Sequence, residues 1–444
     1  MYEHVIHQLL PTMDEKRRTL LKTMGGTTAL GALAGCISTD GGDNGGDGSE
    51  GDGSGDDGSG SDDGSSGVDN PGTATLWTDL ADAEDEAMSS YVDDFESETG
   101  HTINKEEPGG ELDQQLDTAI PSGEGPDSWI WAHDWVGRFA VREEPPFLYD
   151  ASDDVDTSLD SYTETAQQAV QFDGELHGLP FASETVALFY NEDMVDEPPE
   201  TLDEMVSIMD EHHDPENGEY GLSYPVTDPY FVSGFIQAYG GDIFDEANLE
   251  VTLDSDECKQ GLSALETLFE YVPADPGYES QIVAFADGAA PFAINGPWEI
   301  GNLQNEIDNL GVTTLPTVDG NNPRSYSGIQ TFYFSSMLAD ADQSTVDAVT
   351  GLAEWYTTNE DVILNNAEEQ GYIPVLSSVV DDSDLSSDVQ AFAQQVDHGV
   401  PIPSHPDMDS VWDPLTNALT NVFNGDEEGD AALDAAAETI RENL

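Results

Sequence analysis

The chain has two cysteines, Cys36 and Cys258, among its 444 residues. They supply no disulfide framework and no Cys/His metal spacing. Positive charge is nearly as scarce, with 10 Lys+Arg against 93 Asp+Glu and a formal charge of −83. With no basic patch to displace counterions, nucleic acid is excluded as a partner, and an acidic ligand is disfavoured. There is no Gly-x-Ser-x-Gly elbow, no phosphate loop and no His-Glu-x-x-His. His212-His213 lies in a polar stretch before Pro215, with no third metal ligand in view. No cofactor is expected.

The first seventy positions carry an address. Arg17-Arg18 precedes a short apolar stretch, Leu20 to Ala34, which leads into Leu33-Ala34-Gly35-Cys36. That stretch is interrupted by Lys22 and Gly25-Gly26, and it is too short to span a bilayer. A basic region, a short apolar region and small residues before a cut describe an export signal over residues 1–35. Paired arginines favour the twin-arginine route. Leu-Ala-Gly-Cys resembles a lipobox, which implies lipidation of Cys36. Two acyl chains there would give a stable anchor on the outer face of the cell membrane. Met13 starts a more ordinary signal than Met1 does. Residues 36–70 are mostly Gly, Asp and Ser and have almost nothing apolar to bury, so they are expected to form a disordered tether. Its Gly-rich part would reach roughly 30 Å.

Acid is spread through the whole chain. Disorder is one explanation, but regular apolar runs such as Val186-Ala187-Leu188-Phe189-Tyr190 argue against it in the body. The better explanation is a protein built for molar salt, where the Debye length is about 3 Å and self-repulsion is screened. Beyond Cys36 only Lys105 and Lys259 remain as lysines, which fits an extreme halophile.

From Thr73 onward the length suits two domains. Ala74–Trp77, His101–Asn104 and Trp129–Trp131 read as strands. Glu84–Thr99, with Gly100 as its C-cap, and Leu112–Ile120 read as helices. The alternation argues for parallel sheets with ligands at the strands' carboxyl ends. Thr201–His212 is a helix opened by a Thr201/Glu204 capping box. Leu222–Pro225 reads as a short strand and Tyr230–Tyr239 as a helix. Ser255–Tyr271, enclosing a core Cys258, and Asp342–Thr357 read as long helices. Asp430–Asn443 is a helix with Asp430 as N-cap.

Several aromatics stand beside polar groups rather than inside apolar runs. Trp131 precedes Ala132-His133-Asp134, and Trp298 follows Asn295-Gly296-Pro297. Trp412 precedes Asp413-Pro414, and Tyr230 follows Asp228-Pro229. Any one alone is as readily a core residue. Together they suit a small-molecule cleft in which rings stack on sugar faces and carboxylates accept sugar hydroxyls. A carboxylate pair could also hydrolyse a glycoside, but with so many acids a pair says little. Glu184 is the best candidate, placed after Leu179–Ser183 where a strand should begin. It reads equally as a ligand acceptor or a surface acid.

Those residues carry a resemblance. Gly125-Pro126-Asp127, Trp131-Ala132-His133-Asp134, Gly178-Leu179-Pro180 with Glu184, Tyr190-Asn191 and Asp228-Pro229-Tyr230-Phe231 occur in order. Ile294-Asn295-Gly296-Pro297-Trp298, Gly311–Pro316 and Pro401-Ile402-Pro403 leading to Trp412 follow. The series resembles the maltose/maltodextrin-binding proteins of ABC importers from residue 73 to the end. The resemblance implies a two-lobe α/β fold, each lobe a mostly parallel sheet flanked by helices, with the cleft between them. It implies lobe 1 at 73–182 plus 328–375 and lobe 2 at 183–327 plus 376–444. It makes Trp131, Tyr230, Trp298 and Trp412 sugar-stacking residues and Asp134, Glu184 and Asp228 hydroxyl acceptors. Asp79 and Asp82 would stand at the lip. The chain departs from that pattern where Trp135 replaces a basic residue, adding an aromatic to the expected ligand-binding residues, and where Asp82 replaces a lysine and Thr416 an arginine, which leaves sugar identity open. The implied partners are an oligosaccharide, an importer permease and, through the anchor, the membrane, for a non-enzymatic monomer. A secreted glycoside hydrolase and a surface lipoprotein with a degenerate cleft are the alternatives.

Lowering the salt from molar to about 0.1 M lengthens the Debye screening from about 3 Å to about 10 Å. The chain is expected to lose its helical circular-dichroism signal on that dialysis. A signal retained in low salt would contradict the halophilic reading.

Overall fold

The computed structural model describes residues 68, 70–142, 144–380 and 385–444, without the Asp82 side chain. The signal, Cys36 and nearly all of the tether lie outside the described residues.

Strands β1 (Thr73–Trp77), β2 (Thr102–Glu106) and β3 (Ser128–Ala132) are followed by a small hairpin of β4 (Gln171–Phe172) and β5 (Glu175–Leu176). Then come β6 (Gly178–Glu184), β7 (Ala187–Asn191) and a second hairpin of β8 (Phe244–Asp245) and β9 (Glu250–Val251). The series ends with β10 (Phe292–Asn295), β11 (Leu310–Thr313), β12 (Tyr326–Phe334), β13 (Ile373–Pro374) and β14 (Val400–Pro401). Two principal sheets result. One runs β13-β6-β12-β3-β1-β2, with β14 joined to β12, and the other runs β10-β7-β11.

The fold is two-lobed and α/β, but "mostly parallel" is corrected. β1 is parallel to β2 and β3, whereas β12 is antiparallel to β3 and to β6. β7 is antiparallel to both of its neighbours. The cause is chain crossing. β7 follows β6 after only Thr185-Val186, and β12 enters the first sheet directly after the second lobe's β11. A strand arriving from the other lobe enters from the opposite end. β10 and β11 still form a parallel pair through the helix Ile300–Glu306, with β7 inserted between them.

Both sheets are covered on both faces, as α/β layers require. Leu76, Ile130, Leu179 and Phe332 pack with Met88, Val92 and Phe95 of the helix Asp82–Thr99 and with Val349 and Leu352 of the helix Gln343–Thr358. The opposite face buries Trp77, Trp129 and Tyr333 against Leu116, Ile120 and Phe139. In the second lobe Leu188 and Ile294 face a core with Met205, Phe235, Leu262, Leu415 and Leu433. Ala187, Phe189 and Val312 face Phe285, Leu303 and Phe392. Cys258 is fully buried, as expected of a small core residue.

Local signals were realised where they rested on specific hydrogen bonds. Gly100 caps its helix at φ 84°, its N–H donating to Glu96 O, a conformation that favours glycine. Thr201 Oγ1 accepts from Glu204 N at 3.2 Å, and Glu204 Oε2 accepts from Thr201 N at 3.3 Å. Others shifted. The expected helix Ser255–Tyr271 is α-helical only to Glu266; beyond it i→i−3 bonds, such as Leu268 N to Leu265 O at 2.9 Å, tighten the chain into a 3₁₀ turn over Phe269–Tyr271. Asp430 lies in the first turn of Gly429–Asn443, with Glu428 as N-cap. There its charge meets the helix dipole. Leu222–Pro225 makes only one bridge, Ser223 to Ala293, since Tyr224 N turns to Gln281 Oε1 at 2.9 Å. The helix expected over Tyr230–Tyr239 spans Pro229–Ile236. Glu184 ends strand β6 rather than beginning one.

Helices Pro229–Ile236 and Asp256–Glu266 cross at Gly261, where a Cβ would stand 2.2 Å from Ile236 O and 2.4 Å from Phe235 O. Gly261→Ala gains about 0.5–1 kcal/mol in helix propensity but overpacks the crossing, at a cost of about 1–3 kcal/mol or more. Net destabilisation is expected in urea titrations in molar KCl. A neutral or stabilising result would refute this crossing.

Candidate functional site

The site is built at strand ends. Chain leaving β3 carries Trp131, half-buried, and then Asp134, the N-cap of the helix Trp135–Ala140. Trp135 lies one turn along from Trp131 and stacks on it, ring centroids 4.5 Å apart at 19°. Trp135 is 9% exposed and so backs its partner rather than lining the surface. Arg138 sits over the Trp135 ring at 5.2 Å and reaches Asp409 Oδ1 at 2.9 Å. That contact ties this helix to the start of Asp409–Phe423, the helix that carries Trp412. Trp412 is half-buried and meets Tyr326 edge-on at 6.0 Å.

Glu184 occupies the point where the chain leaves the first sheet. It is 7% exposed and accepts from Gln330 Nε2 at 2.8 Å. Gly328 makes room for it, since a Cβ there would stand 2.7 Å from Glu184 Oε1. Burial pushes the Glu184 carboxyl up to about 7, against the weaker lowering effect of Gln330. Asp134 is also pushed up to about 7 by burial; Arg138 opposes the rise and Glu184 adds to it. Both groups are therefore poised to donate or accept a hydrogen bond near neutral pH.

Second-lobe residues face them. Asp228 caps the helix Pro229–Ile236, and its Oδ1 accepts from Tyr230 N at 2.9 Å and from Phe231 N at 3.4 Å. Desolvation raises its carboxyl, and the two cap bonds offset part of the rise. Tyr230 Oη is buried without a hydrogen-bond partner among the described groups. Its hydroxyl is held well above the usual range, by burial first and then by the charges of Glu184, Asp228 and Asp134. The Tyr230 ring lies 6.3 Å from Trp298. Trp298 Nε1 donates to Tyr278 Oη at 2.8 Å, and that hydroxyl donates to Glu299 Oε1 at 2.6 Å.

The charges of Asp134, Glu184 and Asp228 thus all bear on Tyr230, and that of Glu184 also bears on Asp134. Trp131 with Trp135 and Tyr230 with Trp298 form two aromatic pairs. Asp79 is exposed just past β1, its carboxyl raised by partial burial. Asp82 opens the helix Asp82–Thr99, and its side chain lies outside the described residues. His213 is structural: its Nδ1 accepts from Gly221 N at 3.2 Å. His133 is structural too. Nδ1 accepts from Ile329 N at 3.0 Å, Nε2 donates to Ile402 O at 3.0 Å, and burial lowers the ring to about 4. Among the described residues no His/Cys/Asp/Glu group could hold a metal.

Sequence reasoning missed Gln330, Tyr278, Glu299 and Glu84. Gln330 left a signal, as a polar residue inside the apolar strand Tyr326–Phe334. Glu84 left only a capping position, where an exposed acid is the ordinary expectation.

A family model described as bacterial extracellular solute-binding protein matches residues 90–393. The maltotriose-binding protein of Pyrococcus abyssi is 35% identical over 357 residues, covering 78% of this chain and 77% of that one. The galactooligosaccharide-binding protein of Bacillus subtilis is 27% identical, covering 76% and 82%. A maltooligosaccharide ABC transporter solute-binding lipoprotein of Streptococcus pneumoniae is 23% identical, covering 76% and 81%.

The raised Glu184 carboxyl sets a pH dependence. Folded Glu184 keeps its proton to about 7, against an ordinary 4.5. Its favourable contribution is complete below pH 4.5 and lost as pH rises through 7. Glu184→Gln is therefore expected to be near neutral at pH 5 and stabilising by on the order of 2–3 kcal/mol at pH 8. Urea titrations in molar KCl at the two pH values check this. Destabilisation at pH 8 would mean that the ionised group is compensated.

Proposed function

The chain belongs to the family of bacterial extracellular solute-binding proteins, and from that premise we propose that it captures an oligosaccharide of the maltodextrin kind. Two lobes close over the sugar, and the closed form delivers it to the membrane permease of an ABC importer. The observation that carries this reading is that the carboxyls of Asp134, Glu184 and Asp228 all bear on Tyr230, with an aromatic pair beside each end of that group, Trp131 with Trp135 and Tyr230 with Trp298.

Apolar ring faces stack on aromatic side chains, while sugar hydroxyls need both donors and acceptors. Trp131, Tyr230, Trp298 and Trp412 take the stacking roles. Asp134, Glu184 and Asp228 take the hydrogen-bonding roles, with Asp79 and Asp82 at the lip. Trp135 stiffens Trp131 in the place where a basic residue is otherwise expected. Buried carboxyls near neutral serve as donors where the cations are missing. The same acids disfavour an anionic sugar.

Closure follows from ligand contacts on both lobes: a sugar that touches both favours the state in which both reach it. We assign lobe 1 to residues 73–182 and 328–375 and lobe 2 to 183–327 and 376–444. The strands support this, except that β6 stays in the first sheet to Glu184 and that Leu376 and Val379 pack with the first core, which moves two boundaries a few residues later. The protein acts as a monomer, held by a lipid on Cys36 at the outer membrane face, and catalyses no reaction.

Trp131→Ala and Trp298→Ala are each expected to weaken maltotriose binding by about 1–3 kcal/mol, roughly tenfold per 1.4 kcal/mol. Calorimetric titration in molar KCl checks this, and unchanged affinity in both variants would refute the site. Prolonged incubation with maltotriose should release no glucose. Release would favour a glycoside hydrolase instead.

A further inference from the structure

Glu84 is an acid the sugar-binding reading does not use. It is the third residue of the helix Asp82–Thr99, and its Oε2 accepts from Ala81 N at 3.1 Å. Such acids usually sit in water, where their charge favours the helix N-terminus. This one is 7% exposed and accepts the Tyr372 hydroxyl. Tyr372 directly precedes β13, which pairs with β6 beside Glu184.

The helix start also touches the second lobe. A Cβ on Gly301 would stand 3.3 Å from Ala83 Cβ, and one on Gly371 would stand 2.2 Å from Ile300 Cδ1 and 3.4 Å from Pro297 Cβ. Residues 297–301 therefore press against Ala83 and Gly371 along a seam without spare space. Glu299 lies within that segment, bound by Tyr278 Oη at 2.6 Å and Asn302 Nδ2 at 3.2 Å. The charges of Glu184 and Glu299 both act on Glu84. On Glu84's own helix Asp85 is already paired with Lys105. Asp134 stands on the same lobe, Asp228 and Tyr230 on the other, and Arg138 is engaged by Asp409.

We propose that Glu84 is a positioning residue whose proton permits the lobes to meet at this seam, so that closure over the sugar draws in a proton. The proposal rests on the sugar-binding reading. Closure removes Glu84 from water and brings Glu299 toward it, and both changes oppose its ionisation. Burial first, then the neighbouring carboxylates, push the group up to about 7 although Tyr372 and the Ala81 N–H lower it. The closed state is therefore favoured while Glu84 is protonated and loses ground as pH rises to about 7. With the solvated carboxyl near its ordinary 4.5, one linked proton weakens binding by up to about tenfold per pH unit between 4.5 and 7, and the fall levels off above 7.

The test is a maltotriose titration followed by tryptophan fluorescence from pH 5.5 to 8.5 in molar KCl. Thermal midpoints of the sugar-free protein are taken over the same range. Wild type, Glu84→Gln, Glu299→Gln and Glu184→Gln are compared. Wild-type affinity should fall from pH 5.5 to about 7 and level off above it. Glu84→Gln, which keeps the neutral shape, should hold tight binding at pH 8 with a flatter profile, and Glu299→Gln, which removes a charge that raises Glu84, should end the fall at a lower pH. The midpoint of Glu84→Gln should decline less with pH than wild type. A profile as steep in Glu84→Gln as in wild type overturns the proposal, as does one flattened only by Glu184→Gln. If no sugar binds at any pH, the sugar-binding reading fails. The thermal midpoints then decide the role of Glu84, and parallel pH slopes in wild type and Glu84→Gln refute it.

Discussion

Carboxyl groups held away from water, with few cations to offset them, are the constraint on which the cleft depends. Burying an ionised carboxylate without a partner is costly enough that the group takes up a proton instead. Glu84, Asp134 and Glu184 all lie in that regime. The chain has little positive charge to spare. Every lysine and arginine among the described residues is paired with an aspartate, from Lys105 with Asp85 to Arg441 with Asp254. Only Arg138 bears on the cleft, from behind Trp135. The cleft therefore works with neutral acids, hydroxyls and aromatic faces, a set suited to an uncharged polyol.

The same groups sit where the chain passes between lobes. Glu184 ends the last strand before the crossing at Thr185-Val186, and Gln330 holds it from β12, the strand that returns. Tyr372 lies where the first sheet ends at β13. A change of lobe angle moves these segments relative to Pro297–Gly301 and to the helix that bears Tyr230. In the proposed reading, binding and hinge geometry are coupled by contact. His133, neutral and tied to Ile329 and Ile402, anchors one side of that hinge.

Much of this was legible in the sequence because the signals were local. Capping at Thr201 and Gly100, helix periodicity at Met88–Phe95, and aromatics in polar turns depend on a few neighbouring residues. Strand direction was not legible. It depends on which lobe a strand comes from, and no period records that. Glu184 was found as a candidate, but its burial required Gly328 and Gln330, far along the chain. Glu84 looked like an ordinary capping acid because its partners, Tyr372, Glu184 and Glu299, come from three separate segments.

The central claim is that two lobes close on an oligosaccharide. The most direct measurement is the distance between two spin labels, one on each lobe, in molar KCl with and without saturating maltotriose. The account predicts a shorter and narrower distance distribution with the sugar. An unchanged distribution, for maltotriose and for a panel of other neutral oligosaccharides, would contradict it.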